Sequence, residues 1–192
     1  DRCLKSLIAL NYPVHKLQIL VGDDGSNDNT YQIVKKYQNE NDIIEGIEIK
    51  DTVGEQQGKA NVLAHLAHKA IGDFYLITDA DMALPTRWVH GMLSCMDSNV
   101  GLAIGTTNVQ GNEMQDMDWL FALGMVKTVT DLGYPVTGMG NNMIVSKEAY
   151  WSVGGYDKIP FSITEDFELF RHIKNQKYLC QHVLVPAVLG TT

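Results

Sequence analysis

Short apolar runs alternate with helix-period stretches from one end of the chain to the other, and this alternation limits the fold more than any other feature. Leu17-Gln-Ile-Leu-Val-Gly22, Ile43 to Lys50, Phe74 to Thr78, Val100 to Thr106, Asn142 to Val145 and Tyr178 to Val185 each read as a strand, the first and third as buried ones. Between them lie helical patterns. Asn27 and Asp28 are placed to cap a helix running to about Asn39, with Tyr31 and Val34 along one side. Lys59 to Ile71 puts Val62, Leu63, Leu66, Ala67 and Ala70 on one face. Pro85 starts a further helix at its natural first-turn position. Trp119 to Leu132, Lys147 to Val153 and Glu165 to Ile173 are also helical, and Cys3 to Leu10 opens the chain as a helix. Strands separated by helices imply an α/β sheet covered on both faces. No repeat, low-complexity stretch or linker divides the 192 residues, so 1–192 is expected to be one domain.

Composition removes several function classes. Hydrophobic residues make up 45% and charged residues 20%, which excludes a disordered tail, a collagen-like rod and a disulfide scaffold. Lys+Arg 15 against Asp+Glu 23 gives a net charge of −8, the wrong sign for an electrostatic nucleic-acid binder. Cys3, Cys95 and Cys180 are odd in number and far apart, so core thiols in a reducing compartment fit better than a disulfide framework or a zinc knuckle. No apolar window is long enough to cross a membrane, and Asp1-Arg2-Cys3 opens without the marks of a signal peptide. The chain has no initiator Met and stops at Val183-Leu-Val-Pro-Ala-Val-Leu-Gly without a closing element, which suggests a piece cut from a longer protein.

In open α/β sheets, ligands sit at the carboxyl ends of the strands. Asp23-Asp24-Gly25-Ser26 follows the first strand and Asp79-Ala80-Asp81 the third, so both acidic clusters should open onto one edge. Two carboxylates at a strand end cannot both be buried unpaired, and such oxygen ligands suit Mg²⁺ or Mn²⁺ completed by substrate phosphates. A solvated turn is the plainer alternative. Counted as a calcium loop from Asp23, the acidic cluster fails, because the sixth residue is Asp28 and the twelfth Val34. It reads either as a turn capping the next helix or as an acceptor, through Asp24, for the polar groups of a nucleoside.

Gly54-Glu-Gln-Gln-Gly58-Lys59-Ala60 is one residue short of a P-loop and has Ala where the metal-holding hydroxyl belongs, yet Lys59 at a helix start can still meet a phosphate. Gly138-Met-Gly140-Asn141-Asn142-Met143 fails as a dinucleotide fingerprint and reads as a substrate-contacting loop. His65 and His68 share one helix, with no third zinc ligand in view, and a solvated face is expected. Thr164-Glu165-Asp166 opens the late helix, where acidic residues either serve the helix dipole or supply a general base.

In this order, Asp23-Asp24-Gly25-Ser26, Gly58-Lys59, Asp79-Ala80-Asp81, Gly154-Gly155-Tyr156-Asp157 and Thr164-Glu165-Asp166 resemble the family 2 glycosyltransferases of GT-A fold. That group includes cellulose, chitin and hyaluronan synthases and many non-processive enzymes, and the likeness covers nearly the whole chain. The resemblance implies a Rossmann-like, mixed but mostly parallel sheet with helices on both faces, whose first strand is missing here. It also implies inverting transfer of a sugar from a nucleotide diphosphate, usually uridine-linked, with a divalent metal. By analogy Asp24 contacts base or ribose, Lys59 lies on the nucleotide side, Asp79 lies near ribose or metal, and Asp81 ligates the metal. Gly140, Asn141 and Asn142, with Glu165, match the sugar and acceptor region, and Asp166 matches the catalytic base. Processive members also carry a Gln-x-x-Arg-Trp motif downstream of the Thr-Glu-Asp, at a place the sequence ends too early to show, so processivity stays open at this point.

Charge dictates the mechanism this implies. A diphosphate leaving group in a protein of net charge −8 needs a counter-ion, which a metal on Asp81 and the Lys59 ammonium would supply. Asp166 would take the proton from an acceptor hydroxyl on the opposite face of the sugar, and one displacement inverts the anomeric centre. The acceptor implied is a growing polysaccharide or a lipid-linked glycan at the cytoplasmic face of the cell membrane. Membrane association would belong to the full-length protein and the fragment itself would be soluble. A nucleotidyltransferase and a non-catalytic nucleotide-sugar binding domain are the competing readings.

Overall fold

Three fully buried residues of one strand, Met143, Ile144 and Val145, divide the molecule into two packed layers. The computed structural model describes residues 1–192. Along it run α1 (Arg2–Ile8), β1 (Ile19–Asp23), α2 (Thr30–Glu40), β2 (Ile44–Glu48), α3 (Gly58–Lys69) and β3 (Phe74–Thr78). They are followed by α4 (Trp88–Leu93), β4 (Val100–Ile104), β5 (Thr107–Asn108), α5 (Glu113–Asp131) and β6 (Asn142–Ser146). Then come α6 (Lys147–Ser152), α7 (Gly155–Lys158), α8 (Glu165–Asn175), β7 (Leu179–His182) and β8 (Gly190–Thr191).

The main sheet has the order β3-β6-β4-β7. β6 runs antiparallel to both neighbours, while β4 and β7 are parallel. β1 pairs with β2 and β5 with β8, both parallel, so three of the five pairings are parallel. Side chains alternate across β6 as a strand requires. Met143 and Val145 join Leu102 and Ile104 under α3, α6 and α8, where Ala60, Ala64, Tyr150, Leu169 and Ile173 close the larger core. Ile144 and Ala103 face the other way, onto Trp88, Val89 and Met92 of α4. Helices therefore cover both faces.

α3 ties the β1-β2 pair to the main sheet. Ala60, Ala64 and Ala67 turn to the larger core, while Val62 lies so close to Gly22 of β1 that a Cβ there would come within 2.2 Å of it. β1 and β3, read from sequence as buried strands, are only half-buried along much of their length, and Phe74 is 37% exposed. The reason is that β1 is bonded only to β2 and β3 only to β6, so each presents one unpaired edge.

Other boundaries moved for local reasons. Pro85 lies three residues ahead of α4, in a turn closed by Trp88 N–H donating to the Pro85 carbonyl. α2 is entered through Asn29, and Asp28 Oδ1 accepts from Thr30 N at 2.9 Å instead of capping further in. α5 begins six residues before Trp119, from the Asn112 side chain, which accepts from Gln115 N. Its apolar face is turned outward: Met114, Met117, Phe121 and Met125 are exposed and Leu123 is its buried residue. No helix is long and apolar enough to cross a membrane. All three cysteines are free, and burial pushes the Cys95 and Cys180 thiols up to about 11, as inert core thiols behave.

Candidate active site

β3 delivers Asp79-Ala80-Asp81 at its carboxyl end, and the turn is closed by Met82 N–H donating to the Asp79 carbonyl. Met82, fully buried in the smaller core, anchors the turn so that both carboxylates point away from apolar packing. α1 supports it from beneath: Cys3 Sγ lies 3.5 Å from the Asp79 carbonyl, and the Arg2 guanidinium donates to that of Asp81.

The loop before α3 is fixed by two buried amides. Gln56 Nε2 donates to the carbonyls of Tyr156, at 2.9 Å, and Ile159, at 2.6 Å. Asn61 Oδ1 accepts from Val53 N while its Nδ2 donates to the Asp51 carbonyl. Lys59 thereby enters the cleft from the first turn of α3. Its ammonium forms ion pairs with Asp79 Oδ1 and, at 3.4 Å, with Glu165 Oε1. Burial pulls the Lys59 pKa down, but its hydrogen bonds and charge attraction to Asp79 and Glu165 outweigh this and leave it above the usual lysine value.

α8 supplies the far wall. Asp166 in its first turn accepts from Gly140 N through Oδ2 at 2.7 Å and from Phe167 N through Oδ1 at 2.8 Å. The 138–140 loop must be glycine-rich to lie this close. A Cβ on Gly138 would sit 2.8 Å from the Asp166 carbonyl oxygen, and one on Gly140 3.1 Å from Lys59 Nζ. Tyr156, buried on α7, presents its hydroxyl 3.4 Å from the Glu165 carbonyl and so braces the helix start. Gly155, with φ +56°, leaves room for the Tyr150 ring that a Cβ would strike, and the Tyr150 hydroxyl accepts from Tyr156 N.

The structure thus gathers Lys59, Asp79, Gly140, Glu165 and Asp166 at one edge. Asp81 lies beside them, exposed. Asp24 is exposed at the end of β1 and makes no hydrogen bond to this cluster, whereas its neighbour Asp23 is buried with Oδ1 unpartnered. Asn141 is half-buried, with Oδ1 enclosed and unbonded. Asn142, expected in the sugar and acceptor region, turns its side chain into the core. Its Oδ1 accepts from Trp88 Nε1, and its Nδ2 donates to the Thr106 and Val188 carbonyls. Strand alternation after Asn141 forces this, and the side chain is fully spent on structure. His65 and His68 lie outside the cluster, His65 against Asp51 and His68 paired with Asp157 at 2.9 Å.

No three His, Cys, Asp or Glu side chains come together as a metal cage. Asp79 and Asp81 offer oxygen donors alone, which fits a hard divalent cation that keeps waters and takes its remaining ligands from a diphosphate.

This mixed sheet, with its acidic pair, lysine and helix-borne carboxylates at one edge, is of the GT-A class of glycosyltransferase folds. A mannosyltransferase from Pyrobaculum calidifontis, solved with GDP-Man and Mn²⁺, superposes with a TM-score of 0.74 at 20% identity, over 98% of this chain and 51% of its own. Residues 1–349 of TarS from S. aureus, solved with UDP-GlcNAc, give 0.66 at 17% identity, over 99% and 53%. The chain belongs to glycosyl transferase family 2, whose pattern matches residues 1–153. Among curated relatives, poly-beta-1,6-N-acetyl-D-glucosamine synthase of Staphylococcus aureus is 26% identical over 202 residues. The alignment takes in 97% of this chain but 47% of the synthase, so the chain spans about half the length of the relatives it matches. The Staphylococcus epidermidis synthase is 25% identical over the same shares.

Proposed function

We propose that residues 1–192 are one catalytic domain of a longer enzyme, cut at both ends. That enzyme would move a sugar, with inversion, from a nucleoside diphosphate donor to a hydroxyl acceptor. Uridine diphosphate is the donor nucleotide of choice, and the acceptor class is a growing polysaccharide or a lipid-linked glycan. One observation carries the reading: residues 59, 79, 140, 165 and 166, far apart in sequence, meet in a single cleft in which Asp166 is oriented by a backbone amide. The names of the staphylococcal synthases and the nucleotide-sugar complexes of the structural neighbours agree with it.

In this reading Asp79 and Asp81 hold Mg²⁺ or Mn²⁺, and such a cation, when bound, offsets the charge that builds on the departing diphosphate. Lys59 supplies a second positive charge on the donor side. Asp24 contacts the base or ribose from the end of β1. Asp166 faces the acceptor and removes its hydroxyl proton, and its orientation is set before the substrate arrives. Gly140 and Asn141 line the sugar and acceptor side. The full-length protein would associate with the membrane and work at its cytoplasmic face, where such acceptors grow.

Titrating the full-length protein with uridine diphosphate in Mn²⁺, followed by a donor-hydrolysis and transfer assay over a set of nucleotide sugars, tests this. Metal-dependent binding with turnover supports the reading. Binding without turnover of any donor would reduce the domain to a nucleotide-sugar binder.

A further inference from the structure

Lys59 is shared between carboxylates on opposite walls of the cleft. Asp79 comes from the end of β3, and its side chain is 37% exposed. Glu165 comes from the first turn of α8, is 12% exposed, and has Lys59 as the only partner of its side chain. Asp79 is the nearer partner, but an enclosed carboxylate left without a counter-ion is strongly disfavoured, so Glu165 keeps the ammonium in the cleft when Asp79 is taken by another cation.

We propose that Lys59 is a transferable counter-ion and that Glu165 is the residue that positions it. When a divalent cation takes the Asp79 carboxylate, the ammonium leaves Asp79, stays in the cleft on Glu165, and meets the incoming diphosphate there. This rests on the reading of Asp79 and Asp81 as the cation-holding pair.

Lys59 already sits on Asp79 Oδ1, so a cation bound to that carboxylate would have to compete with the ammonium, and two positive charges on one carboxylate repel. The exchange needs a cation on a flexible stem, which lysine has and arginine's planar fork lacks. It also needs space. Gly140 provides it, because a Cβ there would stand 3.1 Å from Nζ. Without nucleotide, then, Lys59 opposes cation binding. With nucleotide, the diphosphate takes up the displaced ammonium, and the two ligands favour each other by equal factors, as linkage demands.

The test is Mn²⁺ binding to the full-length protein, read by the paramagnetic resonance signal of free Mn²⁺, with and without uridine diphosphate. Lys59→Met, with Lys59→Gln as a second version, should bind Mn²⁺ about 2- to 5-fold tighter than wild type without nucleotide, the range a half-exposed ion pair is worth. Both should lose most of the further gain that nucleotide brings. Glu165→Gln should weaken nucleotide-assisted Mn²⁺ binding several-fold at an unchanged melting temperature. Arg2→Met is the control for simple charge, because that guanidinium lies at the Asp81 carbonyl and touches neither carboxylate.

Unchanged or weaker nucleotide-free binding in both Lys59 variants overturns the proposal. So does an Arg2→Met gain as large as theirs, and so does full nucleotide assistance in Glu165→Gln. Failure of the underlying reading looks different: wild-type Mn²⁺ binding would then be indifferent to Asp81→Asn.

Discussion

The backbone amide of Gly140 holds Asp166 Oδ2 at 2.7 Å, so the carboxylate is oriented by the loop ahead of β6 as well as by its own helix. A Cβ on Gly140 would stand 3.3 Å from the Asp166 Cβ and 3.1 Å from Lys59 Nζ, between the two functional groups. Gly140→Ala should therefore fold normally and bind nucleotide within a few-fold of wild type. Transfer should drop, by up to about 10²-fold if the base moves by an ångström. Turnover and nucleotide affinity measured on the same protein check this, and normal turnover would mean that the close approach has no catalytic role.

The acidic turn after β3 gives a sharper contrast. Asp81→Asn removes charge from an exposed oxygen donor, whereas His65 lies against Asp51 on the outer side of α3. Nucleotide affinity in Mn²⁺ should fall in Asp81→Asn and stay level in His65→Ala. Wild-type affinity that is unaffected by a chelator would remove the metal from the account.

Acid should act on the β7 edge of the main sheet, where His182 lies. Burial, aided by the charge of Lys127, lowers the pKa of His182 from 6.5 to about 4. The folded state therefore keeps this ring neutral, while the unfolded chain takes up a proton below about pH 6.5. The stability tied to the neutral ring is complete above that pH and is lost as pH falls toward 4. The shift corresponds to a loss on the order of 3 kcal/mol at most. Thermal melts between pH 7 and 4 should show a shallower slope in His182→Gln than in wild type, and equal slopes would contradict this assignment.

Among the edge strands, β1 and β3 each have one unpaired edge. A chain extended at its N-terminus by the strand expected from family resemblance should bury those edges and self-associate less. Each 1 kcal/mol gained should raise the melting point by about 2–4 °C in a domain of this size. Equal melting temperatures for the two lengths would count against a missing strand.

What could be read from sequence follows from what sequence encodes locally. Period-2 and period-3.6 patterns placed the Phe74–Thr78 strand to the residue and most helices to within a turn, because those patterns reflect burial directly. The early start of α5 was also encoded, in Asn112 with Gln115 three residues on, but its outward Met114 and Met117 hid the helical face. Burial of β1 and β3 could not be read, because it depends on neighbours across the sheet and not on the strands themselves. The spacing of acidic motifs brought out Asp79, Glu165 and Asp166, and Lys59 beside a glycine. The role of Asn142 escaped for a physical reason: a polar residue in a glycine-rich loop signals a ligand and a buried hydrogen-bond hub equally well. Gln56, which pins the loop before α3, carried no local signal at all, since its partners lie a hundred residues away.

In the proposed reaction, proton removal falls to Asp166. Asp166→Asn keeps the shape of the helix start but can accept at only one of the two amides, Gly140 N and Phe167 N, that the carboxylate now serves. A stability loss of about 1 kcal/mol is expected from that alone. If Asp166 is the general base, the folded variant should retain donor and metal affinity, because the replaced carboxylate would act on the acceptor and not on the diphosphate. Sugar transfer should fall by roughly 10²–10⁴-fold. Measuring transfer and nucleotide affinity together on Asp166→Asn in the full-length protein decides the matter. Lost transfer with intact binding is the predicted result, and near-normal transfer in a folded variant would contradict it and move attention to Glu165.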